Sequence, residues 1–230
     1  KFYNNKMVRF IDWGIIDYKE AWDRQTEIFT DLIQAKKIPG YLDVANQRQQ
    51  VIFCEHPHVY TLGAHGDSSN MLIQDERLKS IGATYYKTDR GGDITYHGYG
   101  QIVVYPIIDL EVLHLSLKQY VHFLEEAVIQ TLLRYGLKAE RAKGATGVWF
   151  DYETPSARKI CAVGVRASHF VTMHGIAFNV ATNLDYFSYI NPCGFIDKGV
   201  TSLEKELGKP IDIDEVKAIL KEELGKLLRL

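Results

Sequence analysis

Cysteine is scarce in this chain: 230 residues hold only Cys54, Cys161 and Cys193. An odd, low count without a CxxC pair excludes a disulfide framework and points to a reducing compartment. Neither charge sign is in excess, with 27 Lys and Arg against 29 Asp and Glu for a net charge of -2. That balance removes any bulk attraction to nucleic acid or to an anionic membrane surface. No apolar run approaches the roughly 18 residues of a membrane helix, and Lys1-Phe-Tyr-Asn-Asn-Lys6 has no apolar signal-peptide core. We therefore expect a cytoplasmic protein with neither a membrane nor a nucleic-acid partner. The sequence has no internal repeat, no GxGxxG and no GxxxxGK[ST]. His56-Pro-His58 is the only close histidine pair, and no third ligand stands near it, so no metal site is expected. What remains is an ordinary globular composition, 46% apolar and 24% charged. Its length suits one domain over 1–230, which we expect to be a monomer.

Hydrophobic periodicity supplies the elements. Asp12–Asp17 reads as a strand, and Tyr18 to about Lys36 as a helix through Ala21/Trp22, Ile28/Phe29 and Leu32/Ile33. Ile38-Pro39-Gly40 is a break. Strands are expected at 51–54, 59–63, 83–88 and 102–108, a mobile loop at 64–70, and a short helix at 75–81. Ser116 is a good N-cap for a helix to Tyr135, with Leu117, Tyr120/Val121, Leu124, Val128 and Leu132 as its buried stripe. Short strands follow at 147–150, 159–165, 169–172 and 174–180. Thr201-Ser-Leu-Glu204 has the shape of a capping box with Thr201 as the cap. A last helix from Asp214 carries Val216, Ile219/Leu220, Leu224 and Leu227/Leu228. The order lacks strict strand–helix alternation, which predicts an α+β fold with helices packed on a mixed, largely antiparallel sheet.

Two features carry chemistry. Arg90-Gly-Gly-Asp-Ile-Thr-Tyr-His97-Gly-Tyr-Gly-Gln101 is a glycine-rich stretch dense in hydrogen-bonding side chains. Its glycines mean a sharp turn or the close approach of something. Cys193, in Asn191-Pro-Cys-Gly194, stands in a turn sequence that presents a thiol as a nucleophile must be presented. Cys161 is its rival: two residues after Lys159, a regular strand would point both side chains the same way, and an ammonium lowers a thiol pKa. An apolar run flanks Cys161, as it flanks Cys54 in Val-Ile-Phe-Cys. Spacing alone leaves Cys161 and Cys193 both open.

Taken together, 90–101, Arg158-Lys-Ile-Cys-Ala-Val-Gly164, His174-Gly-Ile-Ala177, Asn191-Pro-Cys-Gly194 and Gly199-Val-Thr-Ser-Leu203 resemble the lipoyl(octanoyl) transferases. Glu55-His-Pro-His-Val-Tyr-Thr-Leu-Gly63 and Tyr18-Lys-Glu-Ala-Trp22 also look like that family. The resemblance implies a biotin/lipoate protein ligase-like catalytic domain. It implies transfer of an octanoyl group from octanoyl-acyl carrier protein to a lysine of lipoyl domains, those of 2-oxoacid dehydrogenases and the glycine cleavage H protein. A ping-pong reaction through an acyl-cysteine thioester, without a cofactor, is part of that implication. Cys193 takes the place of the catalytic cysteine and Lys159 that of its paired lysine. Arg90, Gly91, Gly92, Asp93, Ile94, Thr95, Tyr96 and His97 take the places of one acyl-site segment. Ala162, Val163 and Gly164 take those of a second, and Gly175, Ile176 and Ala177 those of a third. Tyr99 departs from the usual Pro and Ala162 from a common Ser. The alternative of the same superfamily is an ATP-dependent lipoate or biotin ligase, which needs no thiol nucleophile.

Overall fold

The two long helices α1 (Tyr18–Ala35) and α4 (Leu117–Arg134) begin where the sequence supplies caps. The Asp17 carboxylate accepts from the Glu20 amide at 3.0 Å. Ser116 and Gln119 close a reciprocal capping box, which is worth about 1 kcal/mol at such a position. The structure is a computed structural model and describes residues 8–191 and 198–228, apart from the side chains of Val44 and Asn46.

Seven strands lie side by side in the main sheet. They are β1 (Arg9–Ile15), β2 (Gln50–Glu55), β6 (Gln101–Ile107), β10 (Val171–Asn179), β9 (Arg158–Ser168), β8 (Val148–Phe150) and β7 (Glu140–Arg141). Only β1 and β2 run parallel along this path. A two-residue strand, β11 (Gly199–Val200), pairs in parallel with Arg158 and Lys159 of β9, where β10 has already ended. A second sheet has the order β4 (Thr84–Lys87), β3 (Val59–Leu62), β5 (Ile94–His97).

Strand alternation sorts the core into layers. Val51 and Phe53, Ile102 and Val104, and Ile176 and Phe178 pack against α4 and α6 (Ile213–Leu228). Their neighbours Ile52 and Cys54, Val103 and Tyr105, and Ala177 face α1 on the opposite side. The small sheet has its own core, where Tyr60, Ile94 and Tyr96 meet Leu78 of α3 (Asp75–Ser80) and Ile190. The result is the expected α+β class, a mixed and largely antiparallel sheet between helices.

Four local expectations change. A helix, α2 (Tyr41–Arg48), follows the Pro39-Gly40 break and packs on α1; eight residues are too few for a hydrophobic period to register. Residues 94–97, expected within the glycine loop, form a buried strand paired with β3. The two segments expected at 169–172 and 174–180 are one strand, β10, joined to β9 through a turn in which His169 and Phe170 have φ 50 and 63. Ser202, not Thr201, caps α5 (Leu203–Leu207), accepting from the Lys205 amide. The Thr201 hydroxyl donates instead to Glu206 at 2.6 Å.

Candidate active site

Between the α1-side face of the main sheet and the segment 90–97 lies a cavity of about 960 Å³, its open mouth included. Its base is the middle of β9 and β10, where Ala162 pairs with Ala177 and Gly164 with Gly175. These small residues let the sheet serve as a trough. Gly175 is required for a second reason, since a Cβ there would stand 2.0 Å from the Val104 carbonyl oxygen. Val163 and Ile176 also border the cavity, although they belong to the core cluster on the α4 side of the sheet. From the glycine segment come Arg90, Gly92, Asp93, Ile94, Thr95 and His97.

Two of the expected residues do not line the cavity. Alternation along β5 sends Tyr96 the other way, into the small-sheet core. There its ring stacks on Tyr186 with centroids 5.0 Å apart, and its hydroxyl donates to His58 Nδ1 at 2.7 Å. Gly91 instead joins the glycine segment to the sheet, its amide donating to the Val165 carbonyl at 2.9 Å.

Arg90 is buried, and its guanidinium is spent on the segment around it. It donates to Thr61 Oγ1 and the Thr61 carbonyl, and to the carbonyls of Gly91 and Asp93. Such a fork holds the loop in one shape. Asp93 fastens the other end, accepting from the amides of Asp67 and Ile94 and from the Asn70 side chain.

Lys159 lies at the β11 end of the trough. Its ammonium stands 4.7 Å from the centre of the Trp149 ring, a cation–π contact. Cys161 does not share its face. Trp149 pairs with Lys159 but Val148 with Cys161, so β9 holds one extra residue at this point. A bulge of this kind re-aims side chains. Lys159, Ala162 and Gly164 line the cavity, while Ile160 and Cys161 enter the core under α4. Burial pushes the Cys161 thiol well up from its ordinary value, as it does that of Cys54. Neither thiol lines the cavity. Cys193 lies outside the described residues. The chain re-enters them at Lys198, and Lys198, Gly199 and Val200 form part of the cavity wall, with Val200 opposite Lys159.

Three histidines end up close together although the sequence scatters them. His56 Nδ1–H donates to the Ile16 carbonyl at 2.7 Å, and the Tyr105 hydroxyl donates to its Nε2 at 2.7 Å. His97 Nδ1–H donates to Gln101 Oε1 at 2.8 Å, and its ring is stacked against Tyr18. Burial lowers both, to about 4 for His56 and about 3 for His97, so both rings are neutral at physiological pH. His174 lines the cavity with its side chain 1% exposed and donates from Nε2–H to Asp89 Oδ1 at 2.7 Å. Burial lowers its pKa too. The hydrogen bond from His174, joined by Arg166, holds the Asp89 carboxyl below the usual range. His58 is not part of this group, being stacked on Tyr186 at 4.1 Å. Among the described residues no group of three His, Cys, Asp or Glu is placed to hold a metal ion.

Periodicity and motif reading missed Trp149, Gln101, Asn179, Tyr18 and Tyr105 as lining residues. Gln101 donates to Asn179 Oδ1 at 3.0 Å and to the Tyr96 carbonyl, joining two strands beside the cavity. Gln101 ends the glycine motif and Tyr18 opens a second matched segment, while Trp149, Asn179 and Tyr105 read as ordinary strand residues until the sheet order is known.

The sequence profile of the lipoyl protein ligase A/B catalytic domain matches residues 17–225. An octanoyltransferase of Bacteroides thetaiotaomicron is 59% identical over 218 residues, which is 95% of this chain and 94% of that protein. An octanoyltransferase of Christiangramia forsetii is 51% identical over 234 residues, 98% of this chain and 97% of that protein. Among solved structures, the bipartite lipoate protein ligase from Thermoplasma acidophilum superimposes with a TM-score of 0.68 at 18% identity, covering 96% of this chain and 84% of that one. The last is a likeness of fold.

Proposed function

This chain belongs to the lipoyl protein ligase A/B catalytic domain family and is an acyltransferase, and we propose that it moves an octanoyl group from octanoyl-acyl carrier protein to a lysine of a lipoyl domain through a thioester on Cys193. The Cys193 thiolate, held in that form by the Lys159 cation, attacks the carbonyl of the octanoyl thioester. The carrier's thiol departs with its electron pair and takes up a proton. The lysine amine of the lipoyl domain then attacks the octanoyl-Cys193 thioester. An amide forms, the amine loses a proton, and the cysteine sulfur is released. Exchange of one thioester for another is nearly isoenergetic, so the first step needs no ATP.

The observation that carries this reading is the pairing of Val200 with Lys159. It puts chain that follows Cys193 by only a few residues beside Lys159, at the β11 end of an apolar trough. Cys54 and Cys161, the other two thiols, are both 0% exposed and protonated in the core. The trough suits the acyl group: six methylenes and a methyl at roughly 0.8 kcal/mol per buried carbon give about 5–6 kcal/mol gross. Arg90, Gly92, Asp93, Ile94, Thr95, His97, Ala162, Val163, Gly164, Gly175, Ile176 and Ala177 are the residues we assign to acyl binding.

Incubation with octanoyl-acyl carrier protein followed by intact mass measurement tests the reading. One added octanoyl group, labile to hydroxylamine, present in Cys161→Ala and absent in Cys193→Ala, is expected. Label retained in Cys193→Ala, or transfer to a lipoyl domain only with free octanoate and ATP, would overturn it.

A further inference from the structure

At one end of the trough, where Arg90 and His174 line it, the glycine segment packs onto β9. A Cβ on Gly164 would stand 2.7 Å from the Gly91 carbonyl oxygen and 3.3 Å from Arg90 Nη1. The glycine segment therefore crosses directly over β9 at Gly164, two residues beyond Ala162 on the same face. The crossing is fastened on both sides. Arg90 is clamped to Thr61 and to the carbonyls of Gly91 and Asp93, and the Gly91 amide is bound to Val165. Asp89, immediately before Arg90, is held by His174 Nε2 at 2.7 Å and by Arg166. His174 is itself constrained, with φ 59 and its amide bound to the Gln25 side chain at 2.9 Å.

We infer that this crossing is the end stop that sets the acyl chain length, and that Asp89 positions it. The inference rests on the reading that puts the acyl carbonyl beside Lys159. With one residue absorbed by the bulge, Lys159 to Gly164 is four ladder steps, about 13 Å at a strand rise of about 3.3 Å. Carbon–carbon bonds of about 1.5 Å at near-tetrahedral angles advance about 1.25 Å each, so the seven bonds of an octanoyl chain span about 9 Å. One carbon contact of about 4 Å at the methyl end fills the remainder. Two further methylenes would press a decanoyl chain against the Arg90 side chain, which lines the cavity and cannot retract while the latch holds.

The test compares kcat/KM for hexanoyl-, octanoyl- and decanoyl-acyl carrier protein in the wild type, Asp89→Ala and Ala162→Val. The wild type should prefer octanoyl. Asp89→Ala should raise the decanoyl-to-octanoyl ratio about tenfold, and Ala162→Val should lower octanoyl relative to hexanoyl by a similar factor, the scale of one methylene in a fitted pocket. A merely structural role for Asp89 lowers all three rates together. Unchanged ratios in Asp89→Ala overturn the inference. If the wild type transfers no acyl group of any length, the proposed reaction fails, and the stop is then tested by thermal shift with hexanoate, octanoate and decanoate. Stabilisation that stops growing at octanoate in the wild type and continues to decanoate in Asp89→Ala supports the stop; identical curves refute it.

Discussion

Acid should destabilise this protein steeply between pH 6.5 and 4, because two buried rings beside the cavity resist protonation. His56 and His97 titrate at about 4 and about 3 in the folded state, against an ordinary 6.5. Below pH 6.5 the unfolded chain binds protons that the folded one does not, so stability rises with pH across this window and is lost on acidification. At pH 4.5 the difference amounts to about 2.5 kcal/mol for each ring, or about 5 kcal/mol together. That is a large share of the 5–15 kcal/mol that holds a typical domain folded. Urea unfolding at pH 7.0 and 4.5 measures the loss. Carboxylates with lowered pKa values, such as Asp89 and Glu206, titrate in the same direction, so the decisive comparison is with His97→Gln. Removing that ring should reduce the acid-induced loss by about 2.5 kcal/mol. An identical pH dependence in the wild type and the variant would show that His97 is solvated, or charged, in the folded protein.

If Lys159 holds the reactive thiol as thiolate, Lys159→Met should move the pH midpoint of thiol alkylation upward by about one unit, equivalent to about 1.4 kcal/mol of lost interaction; an unmoved midpoint removes Lys159 from that role. Gly175→Ala should cost about 3 kcal/mol or more, because the added methyl would meet the Val104 carbonyl at 2.0 Å in the middle of the sheet. A urea midpoint equal to that of the wild type would contradict that contact.

Much of this protein was legible from residue order. The periods of α1, α4 and α6 are carried by side chains within a few turns of each other, and the caps at Asp17 and Ser116 are local chemistry. The α+β class follows from the order of the elements, and the motifs at 90–97, 159–164 and 174–177 stand out through their glycines and their Lys. Most of those motif residues do meet around one cavity. The sequence also predicts Lys159 and Cys161 on one face, which would hold for a regular strand.

Tertiary structure decided otherwise at three places. The extra residue in β9 turns Cys161 into the core and leaves Lys159 at the trough, and a bulge has no signature in composition. Tyr96 stands between Thr95 and His97, which line the cavity, yet strand alternation in β5 points it into the small-sheet core. The pairing of β11 with β9 brings residues 199–200 against Lys159 from some forty residues along the chain. Spacing cannot encode such a contact, because it depends on where β10 stops hydrogen-bonding to β9 and leaves that edge open. Residue types and local periods determine which groups are available to do chemistry; sheet order, register and one bulge determine which of them share a face.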